Sequence, residues 1–192
     1  MDYMLDFAYK LLWLPLLVVG VLLAVLEAYV YQLLHYWNPF ILISLTLPFV
    51  FAACLGAIGA TIVGKSKVEN KALTLLIGVA IGLAGIGSKF WIQYEVAISH
   101  AATELHDDSE YQGMALTALK NEIRSQITFW EYLSERAESG MAISRRGRGL
   151  PIGGVVMYVL WGLEVLIVVF CTTLITVEES CGSPENLSLR GY

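Results

Sequence analysis

Four apolar runs, each long enough to cross a lipid bilayer, constrain this chain more than anything else in it. They cover about residues 11–34, 40–63, 72–98 and 151–177. A transmembrane helix needs about 20 mostly apolar residues, because each residue adds about 1.5 Å of rise. Composition agrees: 57% of the 192 residues are hydrophobic and 15% are charged, against about 45–50% and about 25% in a typical globular chain. Runs of this kind exclude a disordered segment, a disulfide-knit secreted domain and a nucleic-acid binder. The fold they predict is all-α, an integral membrane four-helix bundle whose first partner is the lipid bilayer.

The first run is read as retained rather than cleaved. Its leading segment holds Lys10 against Asp2 and Asp6, and no A-x-A-like site follows it. The three runs within 1–98 are joined tightly. His35–Pro39 (HYWNP) predicts a helical hairpin with Asn38 and Pro39 at the turn and second-helix start. The second connection, GKSKVENK at 64–71, sets Lys65, Lys67 and Lys71 against Glu69. Residues 99–150 form the one sizeable polar connection, and 178–192 a short polar tail. Four spans put both termini on one side. Cytoplasmic termini keep Lys10, the three loop lysines and Arg190 inside but leave Arg136, Arg145, Arg146 and Arg148 outside. The first helix and short loops usually dominate, so cytoplasmic termini in the cell inner membrane are expected, with the inverted molecule as the alternative. Tyr29, Tyr31, Tyr36, Trp37 and Phe40 gather at one end of the first hairpin, and Phe90, Trp91 and Tyr94 near the same end of span three. They predict an aromatic belt at headgroup level.

Ionisable residues inside a span are costly, about 2.5–3.5 kcal/mol for a charge at mid-helix on translocon scales. Glu27 lies sixteen residues after Leu11, and Lys89 seventeen after Ala72. Their matching depth allows an ion pair; the alternative is that Lys89 snorkels to the interface while Glu27 meets water or headgroups independently. Glu164, thirteen residues after Pro151, falls near the centre of span four, at a depth where the other spans offer no base. It is expected to be buried against protein, either protonated or paired across a subunit contact. A neutral acid bonded to backbone or to Trp161, or a proton or cation pathway, are the alternatives. Small residues let membrane helices approach closely: Ala52, Gly56, Ala60 and Gly64 recur at four-residue spacing, and Gly78 and Gly82 precede Gly85 and Gly87. Packing within the chain is the favoured use, with a homo-oligomer or a membrane protein partner as the other.

In the polar connection Leu116, Leu119, Ile123, Trp130, Leu133 and Ala137 recur at steps of three and four or their sum, with Gln126 in the seam. This heptad pattern predicts one amphipathic extramembrane helix from about Gly113 to Ser139, stopped by Gly140. Its polar face carries Lys120, Glu122, Arg124, Glu131, Glu135 and Glu138. That face is not rich in Lys and Arg, so Leu119, Ile123, Trp130 and Leu133 are expected to form a protein-docking edge rather than an anionic-lipid surface. His100, Glu104 and His106, with Asp107 and Asp108, are the one candidate metal cluster. No zinc spacing is met, a solvated acidic segment is the better account, and no cofactor is expected. Cys54 and Cys171 read as small apolar residues, and Cys181 has no second cysteine nearby. No nucleophile elbow, H-E-x-x-H, P-loop or Rossmann fingerprint occurs.

The Asn38-Pro39-Phe40 turn, the stretch VGKSKVENKALTLLIGVAIGLAG, the ESGMAI stretch and LWGLE in the fourth run together resemble a group of small multipass bacterial membrane proteins. The resemblance spans most of the chain and implies no activity. It carries over only to Lys65, Lys67, Asn70, Trp161 and Glu164, and implies that the basic loop after span two is cytoplasmic. The group continues into a cysteine-containing soluble tail, whereas this chain ends soon after Cys181, so the resemblance carries over no role lodged in that tail. The function expected is non-enzymatic, in assembly or partner binding. The alternative is a small oligomeric channel or transporter that uses Glu164, with Glu27 and Lys89 as accessory charges.

Overall fold

The computed structural model describes residues 12–37, 41–68, 70–107, 114–139, 141–142 and 151–182. Apart from short connections and one two-residue bridge, these residues are helical. The elements are α1 (Trp13–Trp37), α2 (Ile41–Ser66), α3 (Lys71–Asp107), α4 (Leu116–Gln126), α5 (Phe129–Ser139), β1 (Met141–Ala142), β2 (Pro151–Ile152) and α6 (Val155–Gly182). α1, α2, α3 and α6 are each long and apolar enough to cross a membrane. They coincide with the four apolar runs. The chain divides into two compact units, residues 1–89 with 164–192, and residues 90–163.

In the first unit α1 and α2 form an antiparallel hairpin, with the Tyr31 ring 4.7 Å from that of Phe51. Glycines let the long helices approach each other. A Cβ on Gly56 would come 2.8 Å from Cβ of Ile175, and one on Gly78 would come 2.8 Å from the backbone of Thr173. One on Gly82 would lie 3.1 Å from the backbone of Val169. The small faces of spans two and three are therefore occupied within the chain, chiefly by α6. The four-residue stripe does not run straight, however. A helix turns about 400° in four residues, so such a stripe drifts about 40° per step. Ala52 and Gly56 are buried, Ala60 is half-buried and Gly64 is exposed, and Gly59, facing Thr176, continues the contact.

Leu55, Ile77, Ile81 and Val168 are fully buried beside Thr74, Thr172 and Thr176. The threonines are tolerated because each hydroxyl has a carbonyl partner. Thr74 donates to Asn70 at 3.2 Å, Thr176 to Thr172 at 2.8 Å, and Thr172 crosses to the Ala52 carbonyl at 3.3 Å. Between α2 and α3, Lys67 takes a positive φ of 49°. Asn70 then accepts from the backbone N–H groups of Ala72 and Leu73 at 2.9 and 3.4 Å, capping α3 as Asn does at a helix start.

Two expectations about the polar connection need correction. The helix that carries the third run does not stop with it at 98: α3 continues to Asp107, because residues 99–107 hold no Gly or Pro and are rich in helix formers. The single helix from Gly113 to Ser139 is instead two, α4 and α5, separated at Ile127–Thr128. Ile127 is extended, with φ −124° and ψ 109°. Thr128 and Glu131 then form a capping box. The Glu131 carboxylate accepts from the Thr128 N–H at 2.8 Å, while the Thr128 hydroxyl accepts from the Glu131 N–H at 3.3 Å. The bonds from Thr128, backbone first and hydroxyl second, hold the Glu131 carboxyl below its ordinary pKa.

The second unit has its own core: Tyr94, Ile98 and Ala102 of α3 pack against Leu119 and Ile123 of α4, with Phe129 and Tyr132 alongside. The Tyr94 hydroxyl donates to the Ile127 carbonyl at 2.8 Å, which ties down the break between α4 and α5. After α5, β1 and β2 pair antiparallel, Met141 opposite Ile152 and Ala142 opposite Pro151. Gly154, at φ +62°, donates to the Ala137 carbonyl at 2.7 Å and turns the chain into α6.

Candidate functional site

The charged residues of the first unit converge. Lys89 Nζ of α3 lies 2.5 Å from Oε1 of Glu164 on α6, the two side chains being 7% and 15% exposed. The Tyr31 hydroxyl of α1 donates to the same oxygen at 3.0 Å. Lys89 Nζ also stands 5.3 Å from the centre of the Tyr31 ring, within cation–π range. Phe51 of α2 backs that ring. Each of the four long helices thus contributes one side chain to a single buried group.

The partner of Glu164 differs from expectation. Glu164 does have a base at its depth, and the base is Lys89; the Glu27–Lys89 pair is not formed. α3 and α6 run antiparallel, and stepping along α3 from Gly78 to Gly82 to Lys89 moves along α6 from Thr173 to Val169 to Glu164. Two effects hid this register. α6 begins at Val155 rather than Pro151, so Glu164 sits nearer its helix start by about 6 Å. A helical side chain also leans toward the helix N-terminus, so Lys89 reaches back toward the middle of its span.

Glu27 lies one turn before Tyr31 on α1. The Cys54 thiol of α2 hydrogen-bonds it, a role that treating Cys54 as a small apolar residue missed. Among the described residues, Oε2 of Glu27 is a buried side-chain oxygen with no partner. The hairpin register that sets Tyr31 on Phe51 was the available signal, since one further turn along α1 sets Glu27 against Cys54.

Chemically, the cluster is a lysine and a carboxylate set against each other, with a phenol donating to the same carboxylate oxygen that the lysine contacts. Buried pairs of this type contribute little net stability when intact, but losing one partner strands a charge and costs about 3–5 kcal/mol.

The remaining candidates are not brought together. His100 and Glu104 are exposed on α3 and His106 is half-buried. No group of three metal-ligating side chains occurs among the described residues. The docking edge is largely covered by the chain itself: Leu119 and Ile123 are buried against α3, Leu133 is half-buried, and only Trp130 stands out, 75% exposed. A short α4 can bury its seam because α3 extends nine residues past the expected end of its span. Glu95, inside the expected third span, is instead ion-paired with Arg124. The Asn38–Phe40 turn, Lys10, Arg145, Arg146, Arg148 and Arg190 lie outside the described residues. No family model, curated protein or solved structure matches this chain.

Proposed function

We propose that this chain is a multipass integral membrane protein whose α1, α2, α3 and α6 form a four-helix bundle in the lipid. In this reading it acts by assembly with another membrane protein or a second copy, not by catalysis, from the cell inner membrane with cytoplasmic termini. One observation carries the reading: the long helices expose large apolar side chains while keeping an ion pair inside. Leucine and valine side chains such as Val18, Leu22, Leu26, Val159, Leu163 and Leu166 are exposed, while Lys89 and Glu164 are turned inward. Water-soluble monomers rarely expose contiguous apolar patches beyond a few hundred Å².

The assembly role draws support from Gly162. A Cβ there would meet nothing within 4 Å, which leaves a notch among the exposed Tyr158, Val159, Leu163 and Leu166 of α6. Notches of this kind let a partner helix come close in lipid. The test is extraction in mild detergent followed by native mass spectrometry, with Gly162→Leu beside the parent. A complex or oligomer that disappears in the variant supports the reading. A monomer in both, without bound protein, overturns it.

A small oligomeric channel or transporter is the second reading, and the unpartnered oxygen of Glu27 one turn from the ionic cluster favours it. Proton or cation flux in proteoliposomes that falls with Glu27→Gln or Glu164→Gln would establish it in place of the first.

A further inference from the structure

α3 provides a ruler for depth. From Lys71 to Trp91 the helix rises about 30 Å, the thickness of a bilayer's hydrocarbon core, so Trp91 falls at the boundary. Four residues further on, Glu95 pairs with Arg124 in an exposed ion pair, as a residue on the water side does. A chain of aromatic rings is built at that level. Trp91 lies 5.6 Å from both Tyr94 and Phe129, Tyr94 lies 5.7 Å from Phe129, and Phe129 lies 5.3 Å from Trp130, centre to centre. The Tyr94 hydroxyl holds the Ile127 carbonyl at 2.8 Å, and the Thr128–Glu131 box fixes the first turn of α5. The rings are thus set in place, yet Trp91 is 52% and Trp130 75% exposed.

An indole that faces outward from a capped helix turn at the end of an apolar span matches one environment well. At the headgroup layer its body meets the upper acyl chains while its N–H meets ester and phosphate oxygens. The charge nearby selects among lipids. On α5 itself Glu131, Glu135 and Glu138 outnumber Arg136, so this helix disfavours an anionic headgroup beside Trp130 and accepts a zwitterionic one. We infer that the Trp91–Phe129–Trp130 ring chain is a lipid-binding surface, with the Trp130 indole seated among zwitterionic headgroups so that the first turn of α5 rests on the membrane. This rests on the membrane reading above and reassigns Trp130 from protein docking to lipid.

The test places Trp130 and a deep reference in the same vesicles. One variant replaces Trp13, Trp37, Trp91 and Trp161 with Phe, leaving Trp130 as the sole indole. The other also carries Trp130→Phe and Leu22→Trp, Leu22 being exposed near the middle of α1. Both are reconstituted in phosphatidylcholine with bromines either high on the acyl chains or near their ends, and acrylamide probes from water. Trp130 is expected to be quenched roughly twofold more by the shallow bromines than by the deep ones, and the indole at 22 in the reverse order. Should Trp130 ignore both bromines and answer freely to acrylamide while the indole at 22 is quenched, it faces water and the inference falls. If Trp130 is shielded from bromine and acrylamide alike, a protein covers it and the inference falls equally. An indole at 22 untouched by lipid bromine would sink the membrane reading itself. If the many-Phe variants fail to fold, a nitroxide on Trp130→Cys, with the native cysteines replaced, makes the same depth measurement by oxygen against nickel-chelate accessibility.

Discussion

At Lys89 and Glu164 the governing effect is compensation between charges. Lys89→Met leaves a carboxylate without its base, and Glu164→Leu leaves an ammonium without its acid. Each single change is expected to destabilise the folded chain by about 3–5 kcal/mol, while the double change recovers most of that loss. Unfolding in detergent by steric trapping measures the cycle; additive losses would show that the pair is not a unit. Tyr31→Phe removes one bond to Glu164 and keeps the ring under Lys89, so a loss of only about 0.6 kcal/mol is expected, the average for hydrogen bonds inside membrane proteins. Lys89 and Glu164 were legible in the sequence, since a charged residue in an apolar run singles itself out, whereas Tyr31 was read only as part of an aromatic belt and Phe51 not at all. The pairing of Lys89 with Glu164 was not legible. It depends on where α6 starts and which way a lysine stem leans, and residue counting along a span contains neither.

Among the elements, the break between α4 and α5 shows how a pattern can conceal a boundary. Leu119, Ile123, Trp130 and Leu133 satisfy a heptad template across Ile127–Thr128, and that regular spacing masks the T-F-W-E capping signal inside it. The cap is testable through pH. Because the Glu131 carboxyl is held below its ordinary pKa in the folded chain, its contribution is present above the unfolded value and is lost as pH falls through the folded one. Amide protection in the first turn of α5 should therefore decline on acidification below pH ~4.3. In Thr128→Ala hydrogen exchange there should be about fivefold faster at neutral pH, as expected for loss of an N-cap. Equal exchange in parent and variant would remove the cap from the account. The contact between α3 and α6 was easier to read, because Gly78 and Gly82 announce a close approach. Gly78→Val would drive a side chain into the Thr173 backbone and is expected to destabilise by about 1–3 kcal/mol, far more than the same change at Gly87, where nothing lies within 4 Å.

For the whole molecule, four apolar helices were legible from composition and run length alone, since hydrophobicity sustained over about 20 residues matches the thickness of a bilayer's hydrocarbon core. The surface left to partners was not, because it depends on which faces the chain covers for itself. α3 takes the seam of α4, and α6 takes the glycines of α2 and α3. Topology is the property to test at this scale. A cysteine replacing Lys67, between α2 and α3, should react with a membrane-impermeant maleimide only from the cytoplasmic face, and one replacing Ser125, at the end of α4, only from the opposite face. Reaction of both from one side would rule out the four-span bundle, and exchanged sides would invert it.

The Lys89–Glu164 pair joins residues 75 apart in the chain, and in the proposed bundle that separation becomes an interval of time. A ribosome adding about 5–20 residues per second delivers the lysine roughly 4–15 s before its acid exists. During that wait span three carries an uncompensated ammonium toward the bilayer. Its insertion then depends on how well the lysine stem reaches the nearby headgroups, and retention at the translocon until α6 arrives would spare it that. A nascent chain arrested just after span three should accordingly be released into lipid poorly, and a Lys89→Met chain arrested at the same point should not be delayed.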